Sequence, residues 1–181
     1  MTAKFEPAFL ATVERERGFV NDAKDPGGAT RYGITEAVAR RHGYTGSMRR
    51  LPLGTAKEIY LKREWSRLRL GEMASQDVAS KVFDAAVNCG ITRVARWLQR
   101  GMNVLNKSGK RWPDIKADGK VGPRTIAVLN LALRSSAKAE GRIVETVAVL
   151  QGNRYVEICE KNPKMERFFP GWLDHRVGLH T

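Results

Sequence analysis

Glu16-Arg-Gly-Phe-Val-Asn-Asp22-Ala-Lys-Asp25-Pro-Gly-Gly-Ala-Thr30-Arg-Tyr-Gly-Ile-Thr35 is the stretch that decides how this chain is read. Asp25-Pro26-Gly27-Gly28 is turn chemistry, because proline presets one backbone angle and glycine supplies positive φ. Short β-like runs at 18–20 and 30–34 flank it, so an irregular hairpin is expected. Upstream, Phe5, Phe9, Leu10 and Val13 fall on one face of a helix over 4–17, with Pro7 in its first turn and Gly18 as its stop.

This arrangement sets Glu14 and Glu16 at a helix end, beside a turn-rich loop that holds Asp22, Asp25 and Thr30. Two carboxyl groups in unlike surroundings are what glycoside hydrolysis requires. One protonates the leaving oxygen, and the other activates water or stabilises the oxocarbenium-like centre. An acid buried against Phe19 or Tyr32 would have a raised pKa, while a loop aspartate in contact with water stays ionised. The same aspartates also serve as ordinary turn formers, and spacing leaves both readings open.

Working outward, Thr35 caps a short helix to about His42, and Thr55 with Glu58 forms a capping box for a helix to Leu68. Ser75 caps a helix to Asn88, stopped by Gly90, and Thr92 caps the next, with Val94, Trp97, Leu98 and Met102 on its apolar side. Residues 106–119 form a polar loop. Pro123 opens a helix to Leu133, a long helix follows from Ala137 to Cys159, and a last one covers 164–176. Mostly helix with one small β element is the expectation. Residues 1–74 would form a catalytic region, and 75–181 a helical region packed on it as one structural unit.

Composition narrows the classes. The 181 residues carry 32 Lys and Arg against 19 Asp and Glu, a formal charge of +13, which predicts attraction to a polyanion. No recognition-helix, RNA-binding or zinc motif accompanies that charge, so nucleic acid is not the expected partner. The histidines His42, His175 and His180 are scattered without metal-ligand spacing, and neither a metal nor a cofactor is expected. Asp118-Gly119 lacks the alternating oxygens of a calcium loop and reads as a turn. Cys89 and Cys159 lie in apolar helical segments and read as buried free thiols, with one disulfide as the alternative. No 18-residue apolar run exists to span a bilayer, and the N-terminus has no signal-peptide pattern. Synthesis and retention in the cytoplasm until another agent releases the protein is the matching expectation.

The stretch from Glu16 to Thr35 resembles the signature of glycoside hydrolase family 108, N-acetylmuramidases of the lysozyme-like superfamily found as phage endolysins and related bacterial proteins. Arg17 and Phe19 stand where the family pattern has Gly and Tyr. Asp84-Ala-Ala-Val-Asn88-Cys-Gly90, Leu98-Gln99, Asp118-Gly-Lys-Val-Gly-Pro-Arg-Thr125 and Phe169-Pro-Gly-Trp172-Leu-Asp-His-Arg176 resemble the predicted peptidoglycan-binding region that follows in that family. The resemblance implies a mainly α, lysozyme-like fold, α+β only through one small N-terminal hairpin, in a single helical body.

It also implies roles. Glu16 matches the family's glutamate and would be the general acid, with Glu14 the weaker candidate. Asp25 would position water or stabilise positive charge, Thr30 would help hold that water, and Asp22 is the alternative second carboxylate and otherwise a substrate contact. Gly28 would let the loop approach a sugar, Tyr32 would stack on one, and Asn88 would lie along the glycan groove or cap its helix. The implied reaction is hydrolysis of the β-1,4 bond between N-acetylmuramic acid and N-acetylglucosamine, by a monomer acting on peptidoglycan and causing host lysis. A lytic transglycosylase and a non-catalytic wall-binding module are the alternatives.

Overall fold

Apolar residues on more than one side of a helix mark it as central, and Val78, Ala79, Val82, Phe83, Ala85 and Ala86 do so for the helix Gln76–Cys89. In the computed structural model, which describes residues 2–13, 18–20 and 28–178, this helix packs against three others. Named in chain order, the elements begin with α1 (Phe5–Val13), β1 (Phe19–Val20), β2 (Thr30–Arg31), β3 (Ile34–Thr35) and α2 (Glu36–Arg41). They continue with α3 (Leu53–Tyr60), α4 (Gln76–Cys89), α5 (Ile91–Leu105), α6 (Pro123–Ser135), α7 (Ala139–Lys161) and α8 (Phe169–Trp172). Helix α4 is the hub, touching α1, α5 and α7.

Between α1, α3 and α4 lies an aromatic cluster of Phe5, Phe9, Tyr60, Trp65 and Phe83. Phe83 meets Phe5, Tyr60 and Trp65 with centroids 5.8–6.0 Å apart and planes at 69–89°. Edge-to-face contact sets the positive rim of one ring against the negative face of the next. Fully burying a ring such as Phe83 stabilises the fold by about 3 kcal/mol. On the other side, α7 presents Ile143, Val147, Ala148, Gln151, Tyr155 and Cys159 as one stripe over α4 and α5. The apolar core runs without a break from Ala3 to Val177.

Most expected boundaries hold, and two helix starts move. Thr35 Oγ1 accepts from Val38 N, and Ser75 Oγ from Val78 N, as capping residues do. Thr55, however, lies inside α3, which begins at Leu53 after an extended Pro52. Thr92 lies inside α5, because Gly90 at φ +87° both ends α4 and starts α5, leaving no residue between them for a cap. The helix expected to reach Leu68 passes at Leu61–Trp65 into a π turn, and Arg69 follows at φ 51°. The last expected helix is three short pieces: a 3₁₀ turn at Pro163–Phe168, α8, and a π turn at Leu173–Val177.

The hairpin is present and gains a strand. β1 pairs antiparallel with β2 (Phe19 opposite Arg31), and β2 with β3 (Arg31 opposite Ile34). The loop 106–122 is held by polar side chains on α5 and by Asn106 at its C-terminal end. Gln99 Nε2 donates to Asp118 Oδ1 and the Lys120 carbonyl, Asn103 pairs with both backbone groups of Ile115, and Asn106 Nδ2 donates to Asp114 Oδ1. The Asp118 carboxyl sits below its usual pKa because Lys120 N and Gln99 donate to it, so it is a turn-stabilising anion. Both cysteines are buried free thiols, and burial pushes that of Cys89 up to about 11.

Candidate active site

The turn between β2 and β3 is two residues long, Tyr32 and Gly33, both at positive φ (54° and 72°). That geometry matches the right-handed twist of short hairpins, but it strains a tyrosine. Tyr60 supplies the restraint: its hydroxyl on α3 donates to the Tyr32 carbonyl at 2.8 Å. Glu36 N donates to the Ala29 carbonyl at 2.8 Å, fastening the start of α2 to the other side of the hairpin. The Arg49 guanidinium lies 4.5 Å over the Phe19 ring and holds β1 from outside. A short element with little core of its own is thereby fixed from three directions.

Gly28 enters this hairpin at φ +72°, and a Cβ there would meet Glu36 Cβ and Oε2 at 3.4 Å. Thr30 is half-buried, and its hydroxyl donates to the Gly28 carbonyl at 3.4 Å. The Tyr32 ring lies beneath the Arg31 guanidinium (5.0 Å), and its hydroxyl accepts from Arg31 Nη2 at 3.3 Å. Gly28, Thr30 and Tyr32 therefore all lie in this hairpin, Thr30 bonded to Gly28 and Tyr32 held by Arg31 and Tyr60. Glu14, Glu16, Asp22 and Asp25 lie outside the described residues. Asn88 sits in the last turn of α4, where its Nδ2 donates to the Asp84 carbonyl at 2.9 Å. Trp65 and Trp97 are buried core residues.

A cavity of about 270 Å³ opens beside the last described turn of α1. It is lined there by Ala11 and Thr12, by Lys81 and Asp84 of α4, and by His175 and Arg176 near the C-terminus. Thr12 lies four residues before Glu16 in the chain. Asp84 Oδ1 accepts from Arg176 Nη1 at 2.7 Å, and the two side chains are 8% and 9% exposed. Lys81 Nζ donates to the Arg176 carbonyl at 2.5 Å. The C-terminal segment is thus locked onto α4 beside the end of α1. In the sequence Asp84 and Arg176 stand out only as parts of motifs, since no local pattern announces a pair 92 residues apart.

Glu64 is a second buried carboxyl that spacing did not single out. It stands in the π turn after α3 with its side chain 2% exposed, 3.2 Å from Arg63 Nη2. Burial pushes its pKa up to about 7 against the pull of Arg63 and Arg67. π turns within helices are frequent at functional sites, yet the aromatic core packed around this one gives Glu64 a structural setting. Nearby, burial and the cations Arg63, Lys62 and Arg41 hold the His42 imidazole below its usual pKa. Among the described residues, no three His, Cys, Asp or Glu side chains come together to hold a metal ion. No described helix is long and apolar enough to cross a membrane.

Comparison with known proteins gives three results. The family described as glycosyl hydrolase 108 matches residues 9–90, and a second, described as predicted peptidoglycan domain, matches residues 93–177. The solved structure of SagA from Brucella abortus is similar at 25% identity and TM-score 0.69, over 96% of this chain and 88% of that one. No curated protein matches the sequence.

Proposed function

From the match of residues 9–90 to the family described as glycosyl hydrolase 108, and of residues 93–177 to a predicted peptidoglycan domain, we propose that the chain cleaves the β-1,4 bond between N-acetylmuramic acid and N-acetylglucosamine. The protein is a glycoside hydrolase of lysozyme-like fold that acts on peptidoglycan. What carries the finer reading is the fastened hairpin, which holds Gly28, Thr30 and Tyr32 as one rigid unit within the hydrolase segment.

In this reading the Glu16 carboxylic acid gives its proton to the glycosidic oxygen as the bond to the sugar C1 breaks. The Asp25 carboxylate stabilises the developing positive charge and orients water, which adds to C1 and returns a proton to the site. Asp22 is the alternative for that role. Thr30 presents its hydroxyl to the water, Gly28 lets the backbone lie close to the glycan, and Tyr32 offers a ring face. Asn88 borders the groove and also ties down the end of its own helix. Residues 1–74 form the catalytic region, and 75–181 pack on it as one unit that engages the wall. The enzyme is made in the cytoplasm and reaches the wall after release, as an endolysin lysing a host does, and it works as a monomer without a cofactor.

The test is mass spectrometry of soluble fragments from purified peptidoglycan, comparing wild type with Glu16→Gln. Expected are fragments ending in reducing N-acetylmuramic acid, reduced on the order of 10²–10⁴-fold in the variant, the range for removing a general acid. Anhydro-muramic ends would make the enzyme a lytic transglycosylase and leave Asp25 a structural residue. An undiminished variant would remove Glu16 from the reaction.

A further inference from the structure

The C-terminal segment carries a larger concave surface of about 510 Å³, lined by Arg167, Phe168, Gly171, Trp172, His175 and Arg176. Its rings are arranged unlike those of the core. Trp172 stacks on Tyr155 at 4.8 Å and 30°, and Phe168 on Trp172 at 6.1 Å and 23°. Tyr155 is buried and its hydroxyl accepts from Gln151 Nε2 at 2.9 Å, which fixes the innermost ring. Phe168, 42% exposed, is the solvent end of the stack. Around Phe83 the core rings meet edge-on, whereas here they lie near-parallel, from the buried Tyr155 out to the exposed Phe168.

The rim is cationic. The Arg167 guanidinium lies 4.6 Å over Phe168, and Arg176 is held in place by Asp84. No carboxylate is among the described lining residues. The exposed Arg167 guanidinium beside the aromatic stack favours a planar anion, since a carboxylate offers the two oxygens that its planar fork engages, while Arg176 is already paired with Asp84. His175 and Arg176 also line the smaller cavity beside the end of α1. A ligand seated here therefore reaches the cavity that Ala11 and Thr12 of α1 also line.

We propose that this cavity binds the carboxylate-bearing stem peptides of peptidoglycan, so that the enzyme grips the peptide while its hairpin addresses the glycan. The inference rests on the assignment of peptidoglycan as substrate. In purified intact wall, free of teichoic polymers, the carboxylates belong to the stem peptides, since the lactyl group of muramic acid is already in amide linkage to them. The cavity thus distinguishes peptide-substituted strands from bare charge.

The experiment is co-sedimentation with purified peptidoglycan, intact or with its stem carboxyls converted to amides. Arg167→Glu and Phe168→Ala change exposed side chains, and Arg134→Glu on α6 is a control of equal charge. Wild type is expected to bind the amidated wall about tenfold more weakly. Arg167→Glu and Phe168→Ala should lose about tenfold on intact wall and little further on amidated wall, with unchanged thermal melts. Arg134→Glu should lose much less on intact wall. The proposal is overturned if both cavity variants bind intact wall as wild type does, or if Arg134→Glu loses as much as Arg167→Glu. Fragment release in the same tubes reads the hydrolase assignment separately. Selective binding without release keeps the cavity and removes the muramidase reading, and release without selectivity does the reverse.

Discussion

The hairpin at 28–35 and the helical body at 76–161 are held by different physics. Among residues 28–35 only Ile34 is buried, and the segment keeps its shape through hydrogen bonds to its backbone from Tyr60 and Glu36. The helices α4, α5 and α7 bury whole stripes against one another, with Val78, Val82, Phe83, Val94, Leu98, Met102, Ile143 and Val147 nearly inaccessible. Stability is therefore concentrated in the body, while the hairpin is placed by a few directional contacts. Changes in the body should cost folding free energy, and changes at the hairpin should cost turnover.

The largest expected effect is in the body. Asp84→Ala removes the 2.7 Å ion pair made with the Arg176 guanidinium, which is 9% exposed. Breaking such a pair from one side costs roughly 3–5 kcal/mol, because the remaining charge stays buried. Urea unfolding should show a midpoint well below wild type with the slope unchanged. A loss under 1 kcal/mol would mean that the C-terminal segment is not locked to α4 by this pair.

Glu64 sharpens the contrast, since it is also buried but paired with a partner 35% exposed. Its folded pKa of about 7 lies above the ordinary 4.5, so the native state holds this proton more tightly than the unfolded chain. Its favourable contribution is therefore full below about pH 4.5 and lost as pH rises through 7. Glu64→Gln should remove that slope and raise stability at pH 8 by up to roughly 3 kcal/mol. Thermal melts at pH 5 and 8 read it. An equal effect at both values would place the penalty in packing rather than charge.

Where the fold was legible, the signal was local. Thr35 and Ser75 cap through their own hydroxyls, Pro123 presets the first turn of α6, and Gly90 stops α4, all visible within four residues. Thr55 and Thr92 carried the same local signal, but Pro52 and Gly90 had already begun those helices. The Asp84–Arg176 pair and the Tyr60–Tyr32 bond join residues 92 and 28 positions apart, and no periodicity encodes them. Glu64, following Lys62 and Arg63, reads as part of a solvated charge run, and its burial comes from how the π turn packs. The hairpin that holds Gly28, Thr30 and Tyr32 was legible because turn chemistry and short β-like runs coincide there. The chemistry assigned to Glu16, Asp22 and Asp25 rests on sequence.

The smallest expected loss of stability is the most telling about division of labour. Tyr60→Phe keeps the ring in the aromatic cluster, where it meets Phe9 and Phe83, and removes only the hydroxyl that donates to the Tyr32 carbonyl. A hydrogen bond of this kind contributes about 1 kcal/mol net, so the melting temperature should fall by only a few degrees. The turn it restrains holds a tyrosine at φ 54°, and Thr30 lies one residue beyond Arg31 in the same strand. Displacing catalytic groups by about an ångström costs up to roughly 100-fold in rate, so a relaxed turn should lower wall digestion by about tenfold or more. Initial rates of fragment release, taken well below the melting point, separate the two quantities. Turnover falling far more than stability would assign the hairpin to function. A proportional fall would make it one more part of the scaffold.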